Sequence, residues 1–307
     1  MSELQVDILE LVEENASIEQ IQKELNISAK NLLYQLRLLK EKGYNIDKSY
    51  HSDGTTRFYL KKEFDTSINR RINIPDDTNT FDFIVSSDNH LGSVKQEIKN
   101  SYAMYDYCIN NGRHIIINCG DFFSGRKPNW AHVSMGLFAQ FGRAIEDYPY
   151  DQNILNFITF GNHDLAYLKE GIDLSYLLNK ERHDLIPIGY NYGRIEVKDE
   201  IINISHKPIR KEKYNKLVFC GHHHKYETIT FPGNNQEVYV EVPSLANIPI
   251  GEAETYPGFL DCHLTFKNGK FDTIQIKQLG YKDDKIVTCG GSRFVYIDDK
   301  PKNLYKK

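Results

Sequence analysis

The 307-residue chain contains no apolar run near the roughly 18 residues that a membrane span needs. Its first residues, MSELQVDILELVEEN, are acidic and amphipathic rather than basic and then apolar, which argues against a leader or anchor and predicts a cytosolic protein with no membrane partner. Cysteine is sparse. Cys108, Cys119, Cys220, Cys262 and Cys289 show no paired short spacing, so buried free thiols are expected rather than a disulfide framework or a thiolate metal site. Glycine and proline are in no excess, and no internal repeat or low-complexity tract interrupts the chain, which limits disorder to short connectors. Neither sign of charge dominates: 38 Lys and Arg stand against 42 Asp and Glu, a net charge of -4. That balance excludes a whole-surface attraction for nucleic acid or anionic membrane and leaves room for a local basic face. What is present, 40% hydrophobic and 26% charged residues, suits a globular protein with one large or two unequal domains.

Residues 1–63 read as one small unit. Apolar positions at helical spacing run from Leu4 to Val12, and Ser17 caps a short helix with Glu19 and Gln20 in its first turn. Ser28 caps a third helix, whose apolar face is Leu32, Leu33, Leu36, Leu38 and Leu39 and which Gly43 stops. Two β-rich runs then flank Asp53-Gly54, a strong hairpin signal. This order resembles a winged helix-turn-helix, with Ala29 to Lys42 as recognition helix and Tyr50 to Arg57 as wing. Residues 64–80 lose periodicity and are expected to be a linker, with the boundary close to Ile74.

From Phe81 apolar runs alternate with helical stretches: FDFIVSS, a helix near Glu97 to Asn111, HIIINCG, a helix near Trp130 to Asp147, and ILNFITF. That pattern predicts parallel βαβ units. Beyond Arg194 the strands crowd together (RIEV, IINIS, KLVFC, YETITF, EVYVEV, FLDCHLTF, FDTIQIKQ), with turn signals at Pro232-Gly233-Asn234-Asn235 and Lys267-Asn268-Gly269-Lys270, which predicts antiparallel or mixed sheet. The expected class is α/β, two mixed sheets flanked by helices over residues 81–307, preceded by the small domain.

Five short segments carry carboxylates, amides or imidazoles just past apolar strands: Asp88-Asn89-His90, Gly120-Asp121, Gly161-Asn162-His163-Asp164, His206, and Gly221-His222-His223-His224. Carboxyl ends of strands in open α/β sheets are where ligands gather, so the five segments can converge. If each remains extended, Asp88 and His90 face one way, as do His222 and His224, while Asn89 and His223 face away. A mixed nitrogen and oxygen set without thiolate suits Mn²⁺, Fe, Zn²⁺ or Ni²⁺ better than Ca²⁺. His114, His132, His183 and His263 lack such partners and read as surface or packing residues. Arg126, Lys127 and Arg210 read as loop charges.

The ordered blocks D-x-H, G-D, G-N-H-D, a lone His and G-H-x-H resemble the signature of the calcineurin-like metallophosphoesterases. The resemblance implies one ion held by Asp88, His90 and His224, a second by Asn162, His206 and His222, and Asp121 bridging them. It implies that His163 meets the scissile phosphate and that Asp164 orients it. Two ions about 3.5–4 Å apart can hold a hydroxide between them and clamp phosphate oxygens, giving hydrolysis without a covalent protein intermediate. Mn²⁺ is the first choice of ion. The block Gly120-Asp121-Phe122-Phe123 followed by Lys127-Pro128 is similar to that of the DNA-repair nuclease branch. The cations Lys30, Arg37, Lys40, Lys42, Lys48 and Arg57 on the third helix and wing could neutralise DNA phosphates. These features predict a nuclease or phosphodiesterase acting on DNA. The alternatives are a phosphatase or (cyclic) nucleotide hydrolase whose amino-terminal unit contacts protein, and an inactive DNA-binding regulator. A homo-oligomer is left open.

Overall fold

In the computed structural model the described residues are 2–42, 44, 46–60, 70–125, 136–207, 217–231, 237–248, 256–283, 285–297 and 300–305. The chain begins with three capped helices. Ser2 and Ser17 each close a capping box, with Gln5 and Gln20, on α1 (Glu3–Glu13) and α2 (Ile18–Leu25), and the Ser28 hydroxyl accepts from the Asn31 amide to start α3 (Ala29–Glu41). The hairpin β1 (Ile46–His51) and β2 (Thr56–Leu60) follows, and the three helices bury Ile8, Val12, Ile21, Leu32, Leu36 and Leu39 against it. Gly43, expected to stop α3, lies outside the described residues.

Next come β3 (Arg70–Asn73), β4 (Thr80–Ser86), α4 (Ile98–Asn110), β5 (Ile115–Asn118), α5 (Leu137–Asp147) and β6 (Leu155–Phe160). The short helices α6 (Leu165–Lys169) and α7 (Leu174–Glu181) lead to β7 (Leu185–Tyr190). The strand-rich half holds β8 (Tyr192–Val197), β9 (Glu200–Ser205), β10 (Leu217–Cys220), β11 (Glu227–Phe231) and β12 (Glu237–Glu241). It ends in the meander β13 (Gly258–Lys267), β14 (Lys270–Lys282), β15 (Lys285–Ile297) and β16 (Lys300–Tyr305). Two mixed sheets result, in the orders β11-β12-β10-β9-β8-β3-β1-β2 and β16-β15-β14-β13-β4-β5-β6-β7. The β13–β14 hairpin turns at Asn268 and Gly269, both left-handed at φ 53 and 77, as the Asn-Gly signal predicts.

Strands β4 to β7 are parallel and buried on both faces, which is why they read as continuous apolar runs. Alternation divides their side chains between two cores. Phe83, Val85, Ile117, Phe157 and Ile186 meet Ile195, Ile202, Leu217 and Val238 of the other sheet, while Ile84, Ile116, Ile158 and Leu185 face α4 to α7. Each fully buried side chain of this kind is worth about 1.5–3 kcal/mol. All five cysteines are free; Cys108, Cys119, Cys220 and Cys262 are buried, whereas Cys289 is exposed. No helix among the described residues is long and apolar enough to cross a membrane.

Part of the stretch expected as linker is a strand. β3 pairs in parallel with β1 on one side, Tyr50 opposite Ile72, and with β8 on the other, Ile72 opposite Val197. The hairpin thereby becomes the edge of one of the two eight-stranded sheets. Tyr50 is buried in the core between the sheets, its ring 5.2 Å from that of Phe157. Gly54, in the hairpin turn at φ 82, lies so close to the Asn153 carbonyl that a Cβ would overlap it. His114 and Asn153 precede β5 and β6, so the turn is docked at the amino ends of these parallel strands.

This packing predicts cooperative unfolding of the amino-terminal unit and the body. Tyr50→Ala should cost about 3–5 kcal/mol in chemical denaturation, the scale of a buried aromatic removed, with a single transition retained. Gly54→Ala should also cost more than ~1 kcal/mol. Two separate transitions in the unsubstituted protein would contradict the shared core.

Candidate metal centre

The five chemical segments all start where a strand stops: β4 at Ser86, β5 at Asn118, β6 at Phe160, β9 at Ser205 and β10 at Cys220. They do not stay extended. Asp88, His90, Asp121, His222 and His224 are left-handed, with φ of 52, 47, 50, 72 and 57. Such a conformation costs a residue with a Cβ about 1–2 kcal/mol and persists only where neighbours over-determine it. The expected strand-like alternation is therefore corrected. Once ladder pairing ends, the backbone is held by other partners: the Asp88 amide donates to the Gly120 carbonyl at 2.9 Å, and the His90 amide to the Asp121 carbonyl at 3.0 Å. Close approach explains the glycines. A Cβ at Gly120 would overlap the His206 ring, one at Gly161 the Asp121 carboxylate, and one at Gly221 the Ser87 hydroxyl.

These turns bring the expected residues together. Three overlapping groups form, Asp88 with His90 and His224, His90 with Asp121 and His163, and Asp121 with His206 and His222; within each the donor atoms lie within 4.8 Å of one another. The Asp88 carboxylate is 3.1 Å from His224 Nε2 and 3.6 Å from His90 Nε2. Asp121 is 3.1 Å from His206 Nε2 and 3.7 Å from His163 Nε2. Asn162 joins through Oδ1, 3.0 Å from His206 Nε2. His114, His183 and His263 are elsewhere, against Asn153, Tyr150 and Asp82. Arg126, Lys127, His132 and Arg210 lie outside the described residues.

The donor set fits divalent transition metals. It offers imidazole, carboxylate and amide groups, and the nearby thiols are unsuited to join it: burial pushes Cys119 well above its usual range and Cys220 up to about 12. Charge balance points the same way. Burial opposes ionisation of Asp88, yet hydrogen bonds from His224 and His90 and the charge of His206 hold its carboxyl well below the ordinary range. Burial likewise opposes protonation of His206, but its bond to Asp121 and the two carboxylates push it up to about 9. His222 is driven down to about 4 by burial and by His206. A divalent cation would take over the role of the His206 proton and expel it.

Asp164 has a different task from the one expected. Its buried carboxylate accepts from the amides of Gly161 at 2.6 Å, Phe123 at 2.7 Å and Phe122 at 3.1 Å, so it ties the Gly120–Phe123 turn to the Gly161–Asp164 turn. Burial and the charge of Asp121 push it up to about 8, against the pull of the Gly161 and Phe123 amides. The His163 ring is oriented by the Ser124 carbonyl, 2.8 Å from Nδ1. A carbonyl only accepts, so Nδ1 carries a hydrogen and Nε2 is the nitrogen on the Asp121 side. His163 also donates its amide to Asp121 Oδ1 at 2.7 Å.

Several contributors escaped the sequence reading. Asn118, buried at the end of β5, donates to Asn89 Oδ1 at 2.6 Å and accepts from the Gly120 amide at 3.0 Å, bracing two ligand-bearing turns. Ser244 donates to the Asp88 carbonyl at 2.9 Å. Asn118 left a signal, a polar amide closing the apolar run IIIN; Ser244 and Ser124 left none.

No protein-family model matches the sequence, and no curated protein matches it significantly. Solved structures similar in shape include the YfcE phosphoesterase of E. coli, at 14% identity over 69% of this chain and 98% of that one, TM-score 0.42. Others are GAP50, the anchor in the inner membrane complex of Plasmodium (14%, 75% and 90%, TM-score 0.46), and the nuclease MPE of Pseudomonas putida (13%, 61% and 84%, TM-score 0.35). At such identities and scores none of the three bears on what this chain does.

The charge balance predicts how metal affinity depends on pH. Because His206 titrates at about 9 without an ion, Mn²⁺ binding at pH 7 should release its proton, and apparent affinity should rise with pH until about 9. Calorimetry in buffers of different ionisation enthalpy reads the proton count. Binding at pH 7 without proton release would contradict the assignment of His206.

Proposed function

We propose that the chain is a binuclear metal-dependent phosphoesterase. One observation carries the reading: Asp121 belongs to two donor groups at once, His90 with His163 on one side and His206 with His222 on the other. A carboxylate so shared is what a bridging ligand requires. In this reading Asp88, His90 and His224 hold one ion, Asn162, His206 and His222 hold the other, and Asp121 spans them. Two divalent ions, Mn²⁺ first and Fe, Zn²⁺ or Ni²⁺ otherwise, supply Lewis acidity toward phosphate oxygens and a nucleophile activated at neutral pH. His163, fixed through Nδ1 by Ser124, presents Nε2 to the departing oxygen and would give it a proton from the imidazolium form, leaving the neutral Nδ1–H ring. Asp164 keeps the backbone under both turns from relaxing.

A phosphodiester in DNA is the substrate first proposed, on the strength of the basic residues of α3 and the hairpin. A second reading, a phosphatase or (cyclic) nucleotide hydrolase whose amino-terminal unit serves contacts within or between proteins, is favoured by a specific observation. The hairpin turn that would act as a wing is docked at Asn153, whereas the donor groups follow the opposite ends of the same strands. Several of the cations are also engaged internally: Lys42 with Gln5 at 2.6 Å, Arg37 with Glu41 at 3.6 Å, and Lys48 over the Tyr50 ring.

Chelator-treated protein should be inert and regain turnover with Mn²⁺ on a panel of p-nitrophenyl mono- and diesters, cyclic nucleotides, and single- and double-stranded DNA and RNA. Activity on DNA above that on small diesters selects the first reading, and the reverse selects the second. A metal-loaded protein that hydrolyses none of them is the inactive regulator. His163→Ala should keep both ions and lose about 10²- to 10⁴-fold in turnover, while His224→Ala should lose metal. Near-normal turnover of His163→Ala on esters with poor leaving groups would remove that residue from the mechanism.

A further inference from the structure

His223 lies between two candidate ligands and belongs to none of the donor groups. Its neighbours His222 and His224 are left-handed and join the cluster; His223 instead places Nδ1 2.7 Å from Oε1 of Glu241. Glu241 closes β12, directly opposite Cys220 at the end of β10, where the turn carrying the three histidines begins. Its side chain is only 6% exposed, and its charge is faced by His223 at Oε1 and, as an ion pair, by the Lys225 ammonium 3.2 Å from Oε2. A carboxylate can only accept, so Nδ1 carries a hydrogen and Nε2 is the nitrogen turned away from Glu241. The ring itself is 41% exposed, and its centroid is 5.7 Å from that of His222. It is therefore a polar ring held in one orientation beside the Asp121, His206 and His222 group. Locking the rotamer in advance removes part of the entropy cost of a later contact.

The flank matters. His163 stands with His90, ring centroids 4.6 Å apart, on the other side of Asp121. If His163 serves the departing oxygen, His223 is nearer the substituent that remains on the phosphate. We propose that His223, held by Glu241, makes a hydrogen bond through Nε2 with a hydroxyl group on the retained substituent of a phosphodiester, as a nucleoside would present. This rests on the phosphoesterase reading and gives it a substrate class, diesters whose retained group carries a hydroxyl. Glu241 acts through His223 and is a positioning residue.

The test compares two diesters with the same leaving group, thymidine 5′-(p-nitrophenyl phosphate) and methyl p-nitrophenyl phosphate, on the full chain with Mn²⁺. In His223→Ala the ratio of kcat/KM for the nucleoside ester over the methyl ester should fall about tenfold, through KM, the scale of one hydrogen bond. His223→Gln keeps a side chain that can donate or accept and should recover part of the ratio. Glu241→Gln, whose amide oxygen still accepts from Nδ1, should hold the ratio, whereas Glu241→Ala should lower it. Elemental analysis should find the same metal content in all variants. An unchanged ratio in His223→Ala overturns the contact, and loss of metal in that variant overturns it in favour of a ligand role. Unsubstituted protein that binds metal yet cleaves neither ester, nor p-nitrophenyl phosphate, overturns the phosphoesterase reading instead; cleavage of the monoester alone overturns the diester substrate class.

Discussion

Two carboxylates buried beside one another set the terms for the rest of the molecule. Asp88 is 0% and Asp121 1% exposed, and the charge of Asp88 adds to the cost of ionising Asp121. Like charges away from water remain ionised only if positive charge or strong donors are held against them. Here the compensation is structural. Imidazoles from four chain segments converge on the pair, and the turns that deliver them accept left-handed residues and glycines that no strand or helix would choose. Asp164, Asn118 and Ser244 are spent on the backbone of those turns. A cluster of this cost, assembled from strand ends distant in sequence, is the strongest physical argument for cations as its natural occupants.

The same strands join the site to the amino-terminal unit. Their carboxyl ends lead into the donor turns, while their amino ends receive the hairpin through Gly54, and Tyr50 enters the core between the sheets. The unit thus shares a sheet and a core with the body. Strand β6, at about 3.3 Å per residue, sets the two ends roughly 20 Å apart. Any effect of the helices on catalysis must pass through that rigid layer or through a substrate long enough to span it.

Much of the fold was legible because burial on both faces and hairpin chemistry are local properties. FDFIVSS, HIIINCG and ILNFITF announce parallel strands, and Asp53-Gly54 and Asn268-Gly269 announce turns. The donor residues were legible because imidazoles and carboxylates past strand ends are unusual in combination. What escaped depends on contacts between distant segments. Residues 70–73 contain nothing that separates a linker from a four-residue strand until β1 and β8 lie on either side. The short helices α6 and α7 and strands β15 and β16 also went unread, the latter because KIVTCGGSRFVYI breaks its alternation with two glycines. Asp164 was assigned to the neighbouring His163 on adjacency, whereas the turn directs it to three amides.

The central claim, that Asp121 spans two ions, is open to a spectroscopic measurement independent of substrate. Mn²⁺ titration followed by electron paramagnetic resonance should show two ions bound per chain, with the exchange-coupled spectrum of a bridged pair. Asp121→Ala should abolish the coupling. A single ion per chain, or two that remain magnetically isolated in the unsubstituted protein, would contradict the bridged centre.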